Sequence, residues 1–318
     1  MPRAASRLIP PESRKRTLNQ KLGYIKNHYL LYLMLIIPIC YYLIFQYYPM
    51  YGITIAFKNY SIFKGVAGSA WVGLENFEKL FSIKELSRAV VNTLRLNVLN
   101  LLFSFPAPII LAILLNELKS KWFKKITQTV LYMPHFLSWV IIGGIVTMMF
   151  TTSAGLINRG LVAMGLERIP WLANNFWWIV MYIIVGVWQS VGYGAIVYLS
   201  AISGIDQDIY EAAKMDGCSR FKMMYLITLP SIRSTIVIML ILKIGGMMSI
   251  SFDQPQMLKN AMVNDVGDVI STFIYRYGIK NAKYSLSTAA GLLQSVLNFI
   301  LVISANAISN KISDEGIW

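Results

Sequence analysis

Asp206-Gln-Asp-Ile-Tyr-Glu-Ala-Ala-Lys-Met-Asp-Gly-Cys-Ser-Arg-Phe221 is the longest markedly polar passage between two apolar runs in the C-terminal half of the chain. Asp206 or Asp208 can cap a helix whose first turn carries Asp208 and Glu211, and carboxylates suit the positive end of a helix dipole. Ile209, Ala212 and Ala213 fall on one face, and Gly217 supplies a left-handed stop. A second short helix can start at Ser219 and present Phe221 and Tyr225. A helix this short does not stand alone in water and must rest on something. It reads either as an ordinary loop helix or as a docking element for another protein.

Outward from this stretch the chain is apolar. Of its 318 residues 56% are hydrophobic and 14% charged, against about 25% charged in a soluble domain; mean hydropathy is +0.54. Apolar runs of roughly 20 residues recur, each long enough to cross a hydrocarbon layer of about 30 Å as a helix. The spacing predicts an all-α polytopic membrane protein with six spans, near 29–48, 90–115, 130–150, 176–202, 232–250 and 286–308.

The charges orient the spans. Arg3, Arg7, Arg14, Lys15, Arg16, Lys21 and Lys26 stand against a single acidic residue, Glu12, in the first 28 positions. A positive-inside bias therefore predicts a cytoplasmic N-terminal tail at 1–28, and Lys119, Lys121, Lys124 and Lys125 mark the next inner turn. Outer loops then fall at 49–89, 151–175 and 251–285, and Trp71-Val-Gly-Leu-Glu-Asn-Phe77 reads as an interfacial passage. Six spans put both termini in the cytoplasm. The net charge of +14 is accounted for by inner loops and anionic headgroups, with no basic stripe interleaved with aromatics for nucleic acid.

Catalytic and nucleotide motifs are missing from the sequence. It contains no Gly-x-x-x-x-Gly-Lys-Ser/Thr, no Gly-x-Ser-x-Gly, no His-Glu-x-x-His and no Cys/His cluster. Its two histidines, His28 and His135, lack a partner that would make either a base, and Cys40 and Cys218 read as passive. No enzyme activity, metal or cofactor is expected in this chain. All fifteen acidic residues fall outside the span cores, whereas ion-coupled carriers usually keep an intramembrane carboxylate. An ion-coupled secondary carrier and a membrane scaffold anchoring a cytoplasmic partner remain the alternatives to a subunit driven from outside itself.

Glu211-Ala-Ala213, Asp216-Gly217 and Leu229-Pro230 resemble the cytoplasmic signature of permease subunits of ATP-binding-cassette importers. Glu211, Ala212, Ala213, Asp216 and Gly217 match that signature position by position, and Cys218 stands where alanine is usual. The resemblance extends to Pro134-His-Phe-Leu-Ser-Trp139, Gly245-Gly246, Phe252-Asp-Gln254, Asp268-Val-Ile270, Tyr275-Arg-Tyr-Gly278 and Gly291-Leu-Leu-Gln-Ser295. These are similar to the subfamily that imports polysaccharide-derived oligosaccharides, the alginate importer permeases among them. The resemblance implies a type I importer permease fold in a bacterial cytoplasmic (inner) membrane. The first span and outer loop then occupy 29–89, a five-span permease core 90–310 with the coupling-helix loop at 203–231, and a cytoplasmic tail 311–318. It also implies a homologous partner permease, two ATPase subunits holding ATP and Mg, and an extracytoplasmic solute-binding protein.

Sugar recognition needs aromatic faces together with amides or hydroxyls. Gln189 and Tyr193 lie four apart in the fourth span, as do Gln294 and Asn298 in the sixth, so each pair shares a helix face. Such amides face inward, either toward a substrate path or as hydrogen-bonding glue between helices. Lys243, near the middle of the fifth span, needs a water-lined cavity or a partner. With Arg95, which can snorkel, it suggests an acidic saccharide such as a uronate oligomer.

Overall fold

The computed structural model describes residues 27–313, and side chains as far as residue 307. It divides into two compact units, Met1–Thr54 and Ile55–Trp318.

In the first unit, an apolar run rich in Leu, Ile and Tyr makes a helix that begins at Tyr29 and extends through Pro38 to Tyr42. It continues as a π turn over Leu43–Tyr47 and a 3-10 stretch from Tyr48. With apolar side chains all round and no polar stripe, this segment suits a lipid surround. Helix from Tyr29 to Phe57 is long and apolar enough to cross a membrane.

The second unit opens with a small antiparallel pair, Lys58–Asn59 against Ala70–Trp71. The buried Asn76 amide donates to the carbonyls of Ala56 and Lys58, at 2.9 and 3.0 Å, and closes this entry loop. Trp71 stacks on Phe57, with centroids 5.6 Å apart. The passage 71–77, expected at the interface, is thus a strand end and the start of a helix, Glu75–Phe81.

Three helices here are long and apolar enough to cross: Lys84–Asn116, Asn175–Ser203 and Tyr284–Ala307. The other two expected crossings are bent pairs. Lys121–Phe136 and Trp139–Phe150 meet at 100°, and Arg220–Ser231 and Arg233–Gly245 at 62°. Among the described residues, four segments are thus long and apolar enough to cross, and up to six if each bent pair counts as one.

Local chemistry explains both bends. Pro134 lacks an N–H, Leu137 and Ser138 are extended, and the Ser138 hydroxyl starts the next helix by accepting from the Ile141 N–H. Pro230 plays the corresponding part before Ile232. The fourth span begins at an Asn174 cap that accepts from the N–H groups of Phe176 and Trp177. Its Gly192 lies against the backbone of Leu131, where any Cβ would collide with the Leu131 carbonyl. The third and fourth spans touch at that point through bare backbone.

The outer loop expected at 251–285 is a folded insert with helices at Asp253–Leu258 and Ile270–Tyr275, and the helix before it already ends at Gly245. Val263, Val269 and Phe273 are fully buried in it. The Trp178 indole donates to the Leu258 carbonyl at 2.9 Å, and the Gln254 amide to the Tyr182 carbonyl at 3.1 Å. Tyr182 lies two turns inside the fourth span, so the insert reaches about 10 Å down the bundle. Its side chains join Leu96, Ile142, Trp178 and Met181 in the largest apolar cluster.

Candidate functional site

The polar stretch folds as a capped hairpin of two helices. Asp206 caps the helix Gln207–Met215 by accepting from the Asp208 N–H at 3.1 Å. Gly217, at φ +72°, takes the left-handed position. The Cys218 N–H bonds the Ala213 carbonyl at 2.9 Å and the Gly217 N–H bonds the Lys214 carbonyl at 3.0 Å. That pair of bonds is a Schellman stop, and it requires a residue that tolerates positive φ at position 217. Ser219 then starts Arg220–Met223 by accepting from the Lys222 N–H.

The helix rests on the beginning of the fifth span. The Tyr210 hydroxyl meets the Thr228 hydroxyl at 2.8 Å, and Thr228 is buried in the π turn Met224–Thr228. A displacement of the helix therefore reaches the lower half of the fifth span through one short polar contact. The outer face is unspent: Glu211, Ala212 and Asp216 are exposed, Ala213 is half-buried, and neither carboxylate has an ion pair among the described residues. Ile209, Met215, Phe221 and Tyr225 are exposed around it, Met215 at 89%. Small residues, free carboxylates and bare apolar side chains together form a surface suited to a protein partner.

The two residue pairs assigned to the substrate path sit at the bends of the spans. The Gln189 amide points to the His135 carbonyl at 3.4 Å, and the Tyr193 ring stacks on the His135 imidazole. Both thereby hold the elbow of the third span. The Gln294 amide donates to the Met248 carbonyl at 2.8 Å, and Asn298 accepts from the Met248 N–H at 2.9 Å and donates to the Ser249 hydroxyl at 2.6 Å. They close the end of the fifth span, where helix stops at Gly245. Broken helices free backbone groups, and side-chain amides of neighbouring helices satisfy them. The structure does not bring the two pairs into one cluster.

Lys243 lies in the last turn of Arg233–Gly245, not at mid-span, because the helix ends five residues earlier than the sequence suggests. It and Arg95 are exposed and have no ion pair or hydrogen-bonding partner among the described residues. Cys40 and Cys218 are free thiols.

One charged cluster was not legible as such. Asp268 is fully buried in the insert; Lys259 reaches one of its oxygens at 2.9 Å and Arg276 the other at 2.7 Å. The Thr272 hydroxyl adds a third bond at 2.8 Å. Burial by itself would raise the Asp268 carboxyl, but the hydrogen bonds and charges of Lys259, Thr272 and Arg276 prevail and hold it below the usual carboxylate range. The sequence marked Asp268-Val-Ile270 and Tyr275-Arg-Tyr-Gly278 only as parts of the family resemblance, with nothing to say that Asp268 meets Lys259 and Arg276.

Residues 104–314 match the family described as "Binding-protein-dependent transport system inner membrane component". The chain belongs to this family. It is 43% identical, over 98% of its own length and 96% of the relative's, to the polygalacturonan/rhamnogalacturonan transport system permease protein YteP of Bacillus subtilis. Identity is also 43% to Protein LplB of the same organism, over 93% of each chain. Among solved structures it is similar to a chain from a bacterial ABC transporter involved in the import of the acidic polysaccharide alginate, with 39% identity and a TM-score of 0.84. That likeness covers 92% of this chain and 99% of the other. A second structure of the alginate transporter, bound to a periplasmic protein carrying an alginate pentasaccharide, matches with the same identity and TM-score over 93% and 99%. The permease reading and the type I importer fold stand, and the carrier and scaffold alternatives lose their ground.

Proposed function

We propose that this chain is the transmembrane subunit of an ATP-driven importer and forms, with a second and homologous permease, the path for an acidic oligosaccharide. A solute-binding protein delivers the sugar, and two ATPase subunits, which hold the ATP and Mg, drive its passage. The observation that carries this reading is the exposed helix Gln207–Met215 with its unpaired Glu211 and Asp216 and its Schellman stop at Gly217. In the bacterial cytoplasmic membrane that helix faces the cytoplasm, with both termini on the same side. Glu211, Ala212, Ala213, Asp216 and Gly217 dock in the ATPase, and Tyr210–Thr228 passes the motion to the fifth span.

The acidic cargo is supported by two relatives. One is named for polygalacturonan, a polymer of galacturonate, and one belongs to an importer of the acidic polysaccharide alginate. The path side chains Gln189, Tyr193, Gln294 and Asn298 change partners as the bends of the third and fifth spans shift, and then offer amides and a phenol to sugar hydroxyls. Lys243 supplies a cation toward the same path.

Co-purification of the chain with its partners, followed by reconstitution into liposomes, tests the reading. Uptake of a galacturonate oligomer should need both ATP and the binding protein. Uptake by this chain alone, driven by an ion gradient, would refute it.

A further inference from the structure

The insert between the fifth and sixth spans contains an open cavity of about 250 Å³. In the orientation proposed above, the fifth span lies between it and the helix Gln207–Met215, which places it on the side where the proposed cargo arrives. Lys259, Arg276 and Lys280 line it, together with Gln256, Asn264 and Tyr275.

The charge balance in this cavity is uneven. Three cations face one carboxylate, so with Asp268 subtracted from Lys259, Arg276 and Lys280 a charge of +2 remains. Both oxygens of Asp268 are engaged: one accepts from Lys259 and Thr272, the other from Arg276. The donors on the cations are not used up. The Arg276 guanidinium spends a single nitrogen on Asp268 and is steadied by the rings of Phe273 and Tyr277, at 5.9 and 5.8 Å. Lys280 is exposed, has no hydrogen-bond acceptor among the described residues and lies 5.7 Å over the Tyr275 ring. The side chains of Gln256, Asn264 and Tyr275 make no hydrogen bond among the described residues, so neutral donors and acceptors sit beside the cations.

This is a built site. Asp268 fixes Lys259 and Arg276, whose side chains are only 15% and 29% exposed, and both line the cavity with N–H groups that Asp268 does not use. A preorganised guanidinium edge suits a carboxylate, which it can bind through two parallel hydrogen bonds. The volume falls below the roughly 300–1,000 Å³ typical of drug-sized ligands, a size that fits one sugar ring and not a chain. We infer that Arg276, Lys259 and Lys280 form an entry subsite that binds the carboxylate of a single uronate residue as an acidic oligosaccharide enters the permease. The inference rests on the acidic-cargo reading above and gives that cargo its first contact.

The test uses the assembled transporter in proteoliposomes with saturating, sugar-loaded binding protein and a galacturonate trimer as the probe. Lys280 supports no other residue by hydrogen bonding, so Lys280→Glu leaves the Asp268 cluster intact while placing a like charge at the rim. A carboxylate at the rim repels the uronate, so trimer uptake should fall about tenfold or more, with Lys280→Arg close to wild type. Affinity of the sugar-free binding protein for the permease should be unchanged. Wild-type uptake in Lys280→Glu overturns the subsite while the transport reading stands. A parallel loss of binding-protein affinity also overturns it, assigning the cations to a carboxylate of that protein. Failure of the wild-type transporter to take up the trimer at all would instead remove the acidic-cargo reading, and the subsite with it.

Discussion

The ring of Tyr193 lies flat on the imidazole of His135, with centroids 4.0 Å apart and planes within 4°. Tyr193 belongs to an unbroken helix and His135 to the elbow at which the third span turns by 100°. The contact, with the Gln189 amide beside it, couples a rigid element to one that must bend. Stacked aromatic pairs contribute about 0.5–1.5 kcal/mol beyond their buried area. Tyr193→Ala should therefore lower the unfolding temperature of the purified permease by about 2–4 °C. Tyr193→Phe, which keeps the stack, should not. Equal melting of Tyr193→Ala and wild type would show that the elbow does not depend on this pair.

Gly217 is the one residue of the Glu211–Gly217 motif whose backbone a side chain cannot share without strain, at φ +72°. Non-glycine residues held there cost about 1–2 kcal/mol. Gly217→Asp should loosen the Schellman stop, and Glu211→Lys should reverse the charge on the outer face without touching the fold. Both are expected to reach the membrane normally and to lose sugar uptake, with ATP hydrolysis no longer linked to it. Uptake at wild-type rates by both variants would contradict the docking role.

Lys243 offers a separate reading of cargo charge. It is exposed on the fifth span with no partner inside the described chain, and a cation there needs water or a ligand. ATPase stimulation by binding protein saturated with a uronate oligomer should drop in Lys243→Met. Undiminished stimulation would remove Lys243 from the path.

Asp268 makes stability depend on pH in a defined direction. Its carboxyl is held below its ordinary value of 3.8 in the folded chain, burial opposing this and the bonds from Lys259, Thr272 and Arg276 outweighing it. The folded state thus binds that proton less readily than the unfolded one. The stabilisation is complete above about pH 5 and is lost as the pH falls below the ordinary value and through the folded one. Asp268→Asn should cost about 3–5 kcal/mol near neutrality, the cost of breaking a buried ion pair. Melting curves should show that difference shrinking as the pH is lowered from 5 toward 3. A difference independent of pH would mean that Asp268 acts through shape and not through charge.

The membrane class and the approximate span positions were legible from hydropathy, which needs only composition over about 20 residues. The fold of the helix Gln207–Met215 was legible too, because it is set locally by Asp206, Gly217 and Ser219, whose bonds run no more than five residues along the chain. Family identity followed from the same motif. Where the third and fifth spans break was not legible, because Pro134 and Pro230 permit a bend without specifying its angle, and the folded chain sets it at 100° and 62°. The roles of Gln189, Tyr193, Gln294 and Asn298 were equally hidden, since a shared helix face does not say which backbone it meets. The insert was the largest gap: its short apolar pieces have no period of their own and become core only against Trp178 and Tyr182. Asp268 acquires its meaning there, because a carboxylate nine residues from Lys259 and eight from Arg276 becomes a charge cluster only when the insert folds back on itself.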